Sequence, residues 1–179
     1  MLKFKTKRVQ RPKKKSSRPW NEIRIGQGVD IHRLVTGRPL LLGGVKIPHS
    51  KGLDGHSDAD VLLHAIMDAL LGAAGHADIG SMFPDTDKRW KNADSKDLLT
   101  RVWKKLASEG WFVVNVDSSV LAEAPKLKPH IGAMKKAISS ILNIGESSCG
   151  IKATTTEKLG FVGRGEGILA SASVLLGRE

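Results

Sequence analysis

The chain has 179 residues, of which 40% are hydrophobic and 26% charged, a composition typical of one globular domain with a substantial core. No apolar run approaches the roughly 18 residues of a membrane span, and the single Cys149 has no partner for an internal disulfide. We therefore expect a soluble cytoplasmic protein, or a plastid stromal one in a plastid-bearing organism.

The net charge of +11 is concentrated in an N-terminal arm, residues 1–22. Nine of the 29 basic residues and no acidic residue lie within 1–20, which leaves 20 basic against 18 acidic residues in the remainder. Such a run is typical of a solvated, disordered arm. Contact with nucleic acid or an anionic surface, and a remnant of a targeting peptide, remain alternatives. Residues 23–179 are expected to form the single folded domain.

The first elements after the arm are two strands. One runs over residues 23–32, and a second covers 39–47, with Gly43 and Gly44 expected to break or bulge it. We predict that the two strands pair as a hairpin. A glycine-rich polar loop is predicted over residues 49–57.

A helix is predicted next, with Ser57 as its N-cap and Asp60 in the capping-box position. Gly72 and Gly75 are the candidate stops, and because the segment is apolar almost all round, the helix must be buried. Further helices are predicted over 95–108 and from Pro129 onward, and further strands over 111–121, 149–155 and 168–176. This order predicts an α+β fold, a mixed sheet with helices packed on one face.

A possible metal site is the first functional signal. Asp30 and His32 lie two residues apart on a predicted strand and so share one face. His64 lies on the buried helix between Asp60 and Asp68, at a spacing of four residues that forms one polar stripe. Asp30, His32 and His64 around one cation would leave an open coordination position, as in catalytic zinc sites, with Asp60 or Asp68 orienting His64. The alternative is a structural histidine bonded to Asp60 or Asp68.

Several loops are suited to phosphate groups. His56 and Ser57 precede the buried helix, where the helix dipole favours anions. Residues 153–158 supply three threonine hydroxyls and an ammonium, and Arg164 stands between two glycines. Each segment alone is equally compatible with an ordinary turn or strand end, as is the segment 83–87.

Taken together, these segments strongly resemble the 2-C-methyl-D-erythritol 2,4-cyclodiphosphate synthase family of the non-mevalonate isoprenoid pathway. The likeness extends over about residues 23–176. The motifs that carry it are GQGVDIH at 26–32, HSDAD at 56–60, His64, DIG at 78–80, FPDTD at 83–87, APK at 124–126, KATTTEKLGF at 152–161 and GRGEG at 163–167.

The resemblance implies a homotrimer around a central cavity, with active sites between neighbouring subunits. It implies a phosphorus–oxygen lyase that converts a cytidine-diphosphate methylerythritol phosphate to the cyclic diphosphate and CMP. Asp30, His32 and His64 would bind the metal, usually zinc, and Mg²⁺ or Mn²⁺ would lie between the nucleotide phosphates near Glu157. His56 and Thr155 would act on the transferring phosphate.

The resemblance also assigns the substrate contacts. Those to the methylerythritol phosphate would be Ser57, Asp78, Ile79, Gly80, Phe83, Pro84, Asp85, Thr86 and Asp87. Those to the cytidine would be Ala122, Glu123, Ala124, Pro125, Lys126, Leu127, Lys128, Thr154, Thr155, Thr156 and Glu157. Phe161 and Arg164 would lie near the site or the trimer cavity.

Two other functions compete with this interpretation. A metal-dependent phosphodiesterase would use the same ligands to hydrolyse its substrate and would release an open phosphate. A nucleic-acid-binding module would use the basic arm, but the nearly neutral body and the aromatic content of only 4% make nucleic acid an unlikely partner.

Overall fold

The computed structural model describes residues 21–179, so the interpretation of the basic arm lies almost wholly outside the described residues. Seven strands and five α-helices form the described part of the chain. The strands are β1 Glu22–Thr36, β2 Leu40–Leu42, β3 Val45–Ile47, β4 Lys51–Leu53, β5 Trp111–Leu121, β6 Cys149–Thr154 and β7 Gly167–Arg178. The helices are α1 Val61–Ala74, α2 Ile79–Met82, α3 Ser95–Ser108, α4 Ile131–Leu142 and α5 Gly160–Gly163.

Five strands form one mixed sheet in the order β4-β1-β7-β5-β6. β7 pairs antiparallel with both β1 and β5, and β6 runs parallel to β5. The predicted α+β class with a mixed sheet is therefore confirmed. None of the helices within residues 21–179 combines the length and hydropathy that crossing a membrane requires.

The predicted hairpin between the first two strands is wrong. β1 pairs with β4 and β7, whereas β2 and β3 pair only with each other. Gly43 and Gly44 form the turn between β2 and β3 rather than a bulge, with φ of +60° and +74°. Two successive positive φ angles suit a two-residue hairpin turn, and glycine adopts them without strain.

Helix α1 packs on one face of the sheet, against β1 and β7. The contact is very close at Gly26 and Gly28, where an added Cβ would lie 1.9 Å from the Ala69 carbonyl oxygen and 2.1 Å from that of Ala65. The opposite face of β1 exposes Ile23, Ile25, Val29 and Ile31. The sheet thus has one face covered by helix and one apolar face that is open in the single chain.

We expect Gly28→Ala to destabilise the protein by about 3 kcal/mol or more, because the new methyl group meets helix backbone that cannot yield locally. Denaturant unfolding followed by circular dichroism measures this. Gly132→Ala is the matched control, since a Cβ at that exposed helical position meets nothing within 4 Å. It should stabilise by up to about 1 kcal/mol. Equal unfolding midpoints for the two variants would contradict the close packing of α1 on β1.

Helix α1 begins later than predicted. Its N-cap is Asp60, not Ser57, and the Asp60 carboxylate accepts a hydrogen bond from the Leu63 N–H. Ala59, with a φ of +57°, turns the chain immediately before the cap and so ends any helical path from Ser57. Of the two candidate stops, Gly75 is the C-cap, in the left-handed conformation.

The remaining elements mostly follow the predictions. The helix over 95–108 and the strand over 111–121 have the predicted bounds, and Pro129 lies in a short 3₁₀ turn that leads into α4. β6 ends one residue before the predicted end at Thr155, and β7 extends beyond the predicted 168–176 at both ends. The sequence interpretation missed β4, which lies inside the predicted loop 49–57, and the one-turn helices α2 and α5.

Candidate active site

Three predicted ligands converge between β1 and α1. Asp30 Oδ2 lies 2.9 Å from His32 Nε2 and 3.0 Å from His64 Nδ1, and the two nitrogen atoms are 3.2 Å apart. Among the described residues, these form the group of side chains that could hold a metal ion. Alternation along β1 places Asp30 and His32 on one face, as the sequence predicted, and in the structure this is the face covered by α1.

The electrostatics of the cluster favour a cation. Burial alone would raise the pKa of Asp30, but the neighbouring His32 and His64 hold it well below its usual range. Burial likewise opposes the charge on His32, and the adjacent Asp30 carboxylate outweighs this and raises the pKa of the ring. His32 Nδ1 lies 2.6 Å from the Asp54 carbonyl oxygen, which can only accept, so Nδ1 carries a hydrogen and the Nε2 lone pair faces the cluster.

The donor set fits a divalent metal ion. Metal–ligand distances of about 2.0–2.1 Å in a tetrahedron imply roughly 3.3 Å between ligand atoms, close to the observed spacings. Two imidazoles and one carboxylate are suited to zinc and related first-row metals, and three protein ligands leave a position open for substrate. The structure therefore brings Asp30, His32 and His64 together as a candidate metal centre.

The prediction that Asp60 or Asp68 orients His64 is wrong. Asp60 is fully buried and accepts hydrogen bonds from the N–H groups of Gly43, Gly44 and Leu63. Burial raises the pKa of Asp60, although these N–H groups oppose that effect. Asp60 precedes the first turn of α1 and therefore reaches the β2–β3 turn rather than His64.

Asp68 serves another contact, and its carboxylate accepts from the Ile79 N–H at 2.8 Å. The second ring nitrogen of His64, Nε2, instead lies 3.2 Å from Ser57 Oγ and 3.0 Å from Ser95 Oγ. Ser95 was missed because it lies 31 residues from His64 in the chain, and no local pattern links the two.

A cavity of about 370 Å³ opens beside the metal cluster. Its lining includes both histidine ligands and seven of the residues assigned to substrate by resemblance: His56, Ser57, Ile79, Gly80, Phe83, Pro84 and Asp85. Trp90 and Leu98 also line it and were not predicted. Asp78 and Asp87 instead cap short helical turns, and their hydrogen bonds to Ser81 and Arg89 lower the pKa of each carboxyl group. Thr86 is exposed and does not line this cavity.

A second cavity, of about 450 Å³, lies between α4 and the end of β6. Its lining contains most of the residues assigned to cytidine: Ala122, Glu123, Pro125, Lys126, Leu127, Lys128, Thr154 and Thr155. Ile131, Lys152 and Ala153 complete the lining and were not predicted to bind substrate. Glu123 accepts from the N–H groups of Lys158 and Thr156, which lower the pKa of Glu123 and hold the loop 155–158 against the cavity.

The structure does not bring all the predicted residues together within one chain. His56 lines the first cavity and Thr155 the second. Glu157 accepts from the Thr155 hydroxyl at 2.7 Å, and Arg164 pairs with Glu166 at 2.8 Å. The predicted site residues that line neither of these two cavities are Asp30, Asp78, Thr86, Asp87, Ala124, Thr156, Glu157, Phe161 and Arg164.

A candidate metal centre of two imidazoles and one carboxylate, beside a cavity on a mixed α+β domain, is the arrangement typical of metal-dependent enzymes with a free coordination position. The chain belongs to the YgbB family, whose family model matches residues 23–177.

Proteins named 2-C-methyl-D-erythritol 2,4-cyclodiphosphate synthase are close relatives. The one from Geobacillus kaustophilus is 60% identical over 86% of this chain and 98% of its own length. The one from Synechococcus elongatus is 58% identical over 89% of this chain and 99% of its own. A solved structure, the CDP complex of Plasmodium falciparum IspF, is 37% identical with a TM-score of 0.79 and covers 89% of this chain and 99% of its own. The family and the enzyme class predicted from the motifs are confirmed.

Proposed function

We propose that this chain converts 4-diphosphocytidyl-2-C-methyl-D-erythritol 2-phosphate to 2-C-methyl-D-erythritol 2,4-cyclodiphosphate with release of CMP. The observation that carries the proposal is the convergence of Asp30, His32 and His64 within 3.2 Å of one another, with both histidines lining a cavity that His56 and Ser57 also line. The names of the relatives specify this product.

The reaction is an internal phosphoryl transfer, in which the substrate's own phosphate attacks the β-phosphorus and CMP leaves. Two polyanionic groups must approach each other, so like-charge repulsion is the main obstacle. Asp30, His32 and His64 would hold a dication, zinc in our proposal, whose positive charge would offset this repulsion. Mg²⁺ or Mn²⁺ near Glu157 is proposed to do the same for the nucleotide diphosphate.

The protein's own groups bind and orient the substrate. His56 and Thr155 are proposed to donate hydrogen bonds to the transferring phosphate, and the segment 78–87 to hold the methylerythritol phosphate. Alignment of the attacking oxygen with the phosphorus contributes up to roughly 7–11 kcal/mol in well-oriented cases. No general base is needed, because the attacking phosphate is already anionic.

A trimer is proposed because the substrate groups are divided between two cavities of one chain. His56 lines one cavity and Thr155 the other, and a neighbouring subunit that presents its second cavity to the first would unite them. The open sheet face, with Ile25, Val29 and Ile31 exposed, offers the apolar surface that subunit packing would cover.

Phosphorus NMR of the product tests the proposed reaction. With zinc and Mg²⁺ present, we expect a cyclic diphosphate and one CMP for each substrate consumed, since both phosphate groups stay on the methylerythritol. An open-chain phosphate as the product would identify the protein as a hydrolase that uses the same metal ligands. The uncatalysed substrate under identical conditions is the control.

We propose that the single synthase domain covers residues 23–179 and that the basic arm is dispensable for catalysis. The family match begins at residue 23, and all the proposed ligands lie beyond it. Removal of residues 1–20 should leave kcat/KM unchanged at moderate ionic strength, where long-range attraction of the anionic substrate is screened. A large loss of kcat/KM in the truncated protein would assign the arm a direct role.

A further inference from the structure

Asp58 and Ser95 form a hydrogen-bonded chain behind the metal cluster. The Ser95 hydroxyl donates to Asp58 Oδ1 at 2.5 Å, and Ser95 Oγ lies 3.0 Å from His64 Nε2. The Ser95 N–H donates to Asp58 Oδ2 at 3.0 Å, and the Asp60 N–H donates to Asp58 Oδ1 at 3.2 Å. Ser95 is fully buried at the start of α3, so its hydroxyl is shielded from bulk water.

The hydrogen positions in this chain follow from what each group can do. The Asp58 carboxylate accepts hydrogen bonds from two backbone N–H groups and can only act as an acceptor. The single hydroxyl hydrogen of Ser95 is therefore donated to this carboxylate. Ser95 Oγ can then only accept from His64, which places a hydrogen on His64 Nε2. A neutral imidazole with hydrogen on Nε2 has its lone pair on Nδ1, the atom that faces Asp30 Oδ2 at 3.0 Å.

We propose that Asp58 and Ser95 are positioning residues that fix the hydrogen of His64 on Nε2 and thereby direct the Nδ1 lone pair at the bound metal. The proposal rests on the metal-dependent function proposed above. The contact between His64 and Ser95 parallels that of His32, whose Nδ1–H donates to the Asp54 carbonyl. The two ligating histidines are thus oriented by acceptors from different segments, one a backbone carbonyl and one a serine–carboxylate pair.

Ser57 does not replace Ser95 in this role. Its hydroxyl oxygen lies farther from His64 Nε2, at 3.2 Å, and already accepts from the Ala59 N–H at 3.1 Å. It has no carboxylate behind it among the contacts of the described residues, and it lines the substrate cavity. Ser95 is therefore the side chain whose hydroxyl hydrogen is donated to a carboxylate, so that its oxygen accepts from His64.

The test is zinc affinity, measured by competition with a chromogenic chelator on the full chain. We expect Ser95→Ala and Asp58→Asn each to raise the Kd for zinc by about 10-fold or more, the usual effect of losing a group that orients a ligand. Ser95→Thr, which keeps the hydroxyl, should restore most of the affinity. The cobalt-substituted Ser95→Ala protein should show an altered visible spectrum, because Nδ1 is no longer held in one orientation.

Ser139→Ala is the matched control, since Ser139 is a buried helical serine whose hydroxyl donates to the Lys136 carbonyl away from the site. It should leave zinc affinity unchanged, and its zinc-free unfolding midpoint calibrates the cost of deleting a buried hydroxyl. The double variant Ser95→Ala/Asp58→Asn should bind zinc about as weakly as Ser95→Ala alone, because the two residues act through one contact.

The outcomes separate this inference from the proposed function. If the unmodified protein binds no zinc, both are overturned. If it binds zinc and Ser95→Ala binds equally well, or if the two substitutions weaken binding additively, only the positioning role is overturned. Should Ser95→Ala fail to fold, Asp58→Asn and Ser95→Thr decide by the same measurement, because the proposal requires weak binding in the first and near-normal binding in the second.

Discussion

His64→Ala is expected to abolish binding of the proposed zinc ion and to lower kcat by at least about a hundredfold. The substitution removes the Nδ1 atom that lies 3.0 Å from Asp30 Oδ2 and leaves one imidazole and one carboxylate, one ligand fewer than catalytic zinc sites use. Without the dication, the repulsion between the two phosphate groups of the substrate is no longer offset. Metal analysis of the purified protein and a CMP-release assay measure the two effects on the same sample.

His76→Ala is the matched control for this experiment. His76 also pairs with a carboxylate, Glu109 at 2.7 Å, but it lines neither the metal cavity nor the second cavity. It should retain zinc and turnover. Asp68→Asn should retain zinc as well, because the Asp68 carboxylate contacts the Ile79 N–H and not His64. A metal-free His64→Ala protein with unchanged turnover would refute both the ligand assignment and the metal-dependent mechanism.

The parts of the fold that the sequence predicted well are those specified by local signals. Helix α3 begins after Asp94, whose carboxylate caps the Lys96 N–H, and β5 follows directly after Gly110 with the positive φ that such a stop requires. Period-two alternation likewise placed Asp30 and His32 on one face of β1, and this is how their side chains lie in the structure.

The failures concern pairings between residues far apart in the chain. The pairing of β1 with β7 joins Glu22 to Arg178, residues near opposite ends of the domain sequence. Neither segment contains a local pattern that predicts which strand it pairs with. Gly43 and Gly44, interpreted as a break or bulge within one strand, instead form the turn of a separate hairpin of β2 and β3, which does not pair with β1. The contact of Ser95 with His64 depends in the same way on the docking of α3, so the orienting group could not be predicted before the packing was known.

If the protein forms the proposed trimer, mixed assemblies of two inactive variants are expected to recover about a third of wild-type activity. His56→Ala and Thr155→Ala should each lower kcat by about 10²-fold or more, since each removes a donor proposed to stabilise the transferring phosphate. If each site takes His56 from one subunit and Thr155 from its neighbour, every trimer that contains both variants has both intact groups in one of its three sites, about a third of all sites.

Coexpression of the two variants with different affinity tags, followed by tandem purification, yields the mixed assemblies, and CMP release measures their activity. The control is a mixture of His56→Ala with His56→Gln. Because every site then lacks the His56 side chain, no activity should be recovered. His56 and Thr155 line two separate cavities of one chain. If subunits share a site, one variant must therefore supply the His56 and the other the Thr155, and activity must be recovered. Mixed trimers that stay as inactive as either parent would mean that each chain completes its own site, and that the two cavities act on different parts of the substrate within one subunit.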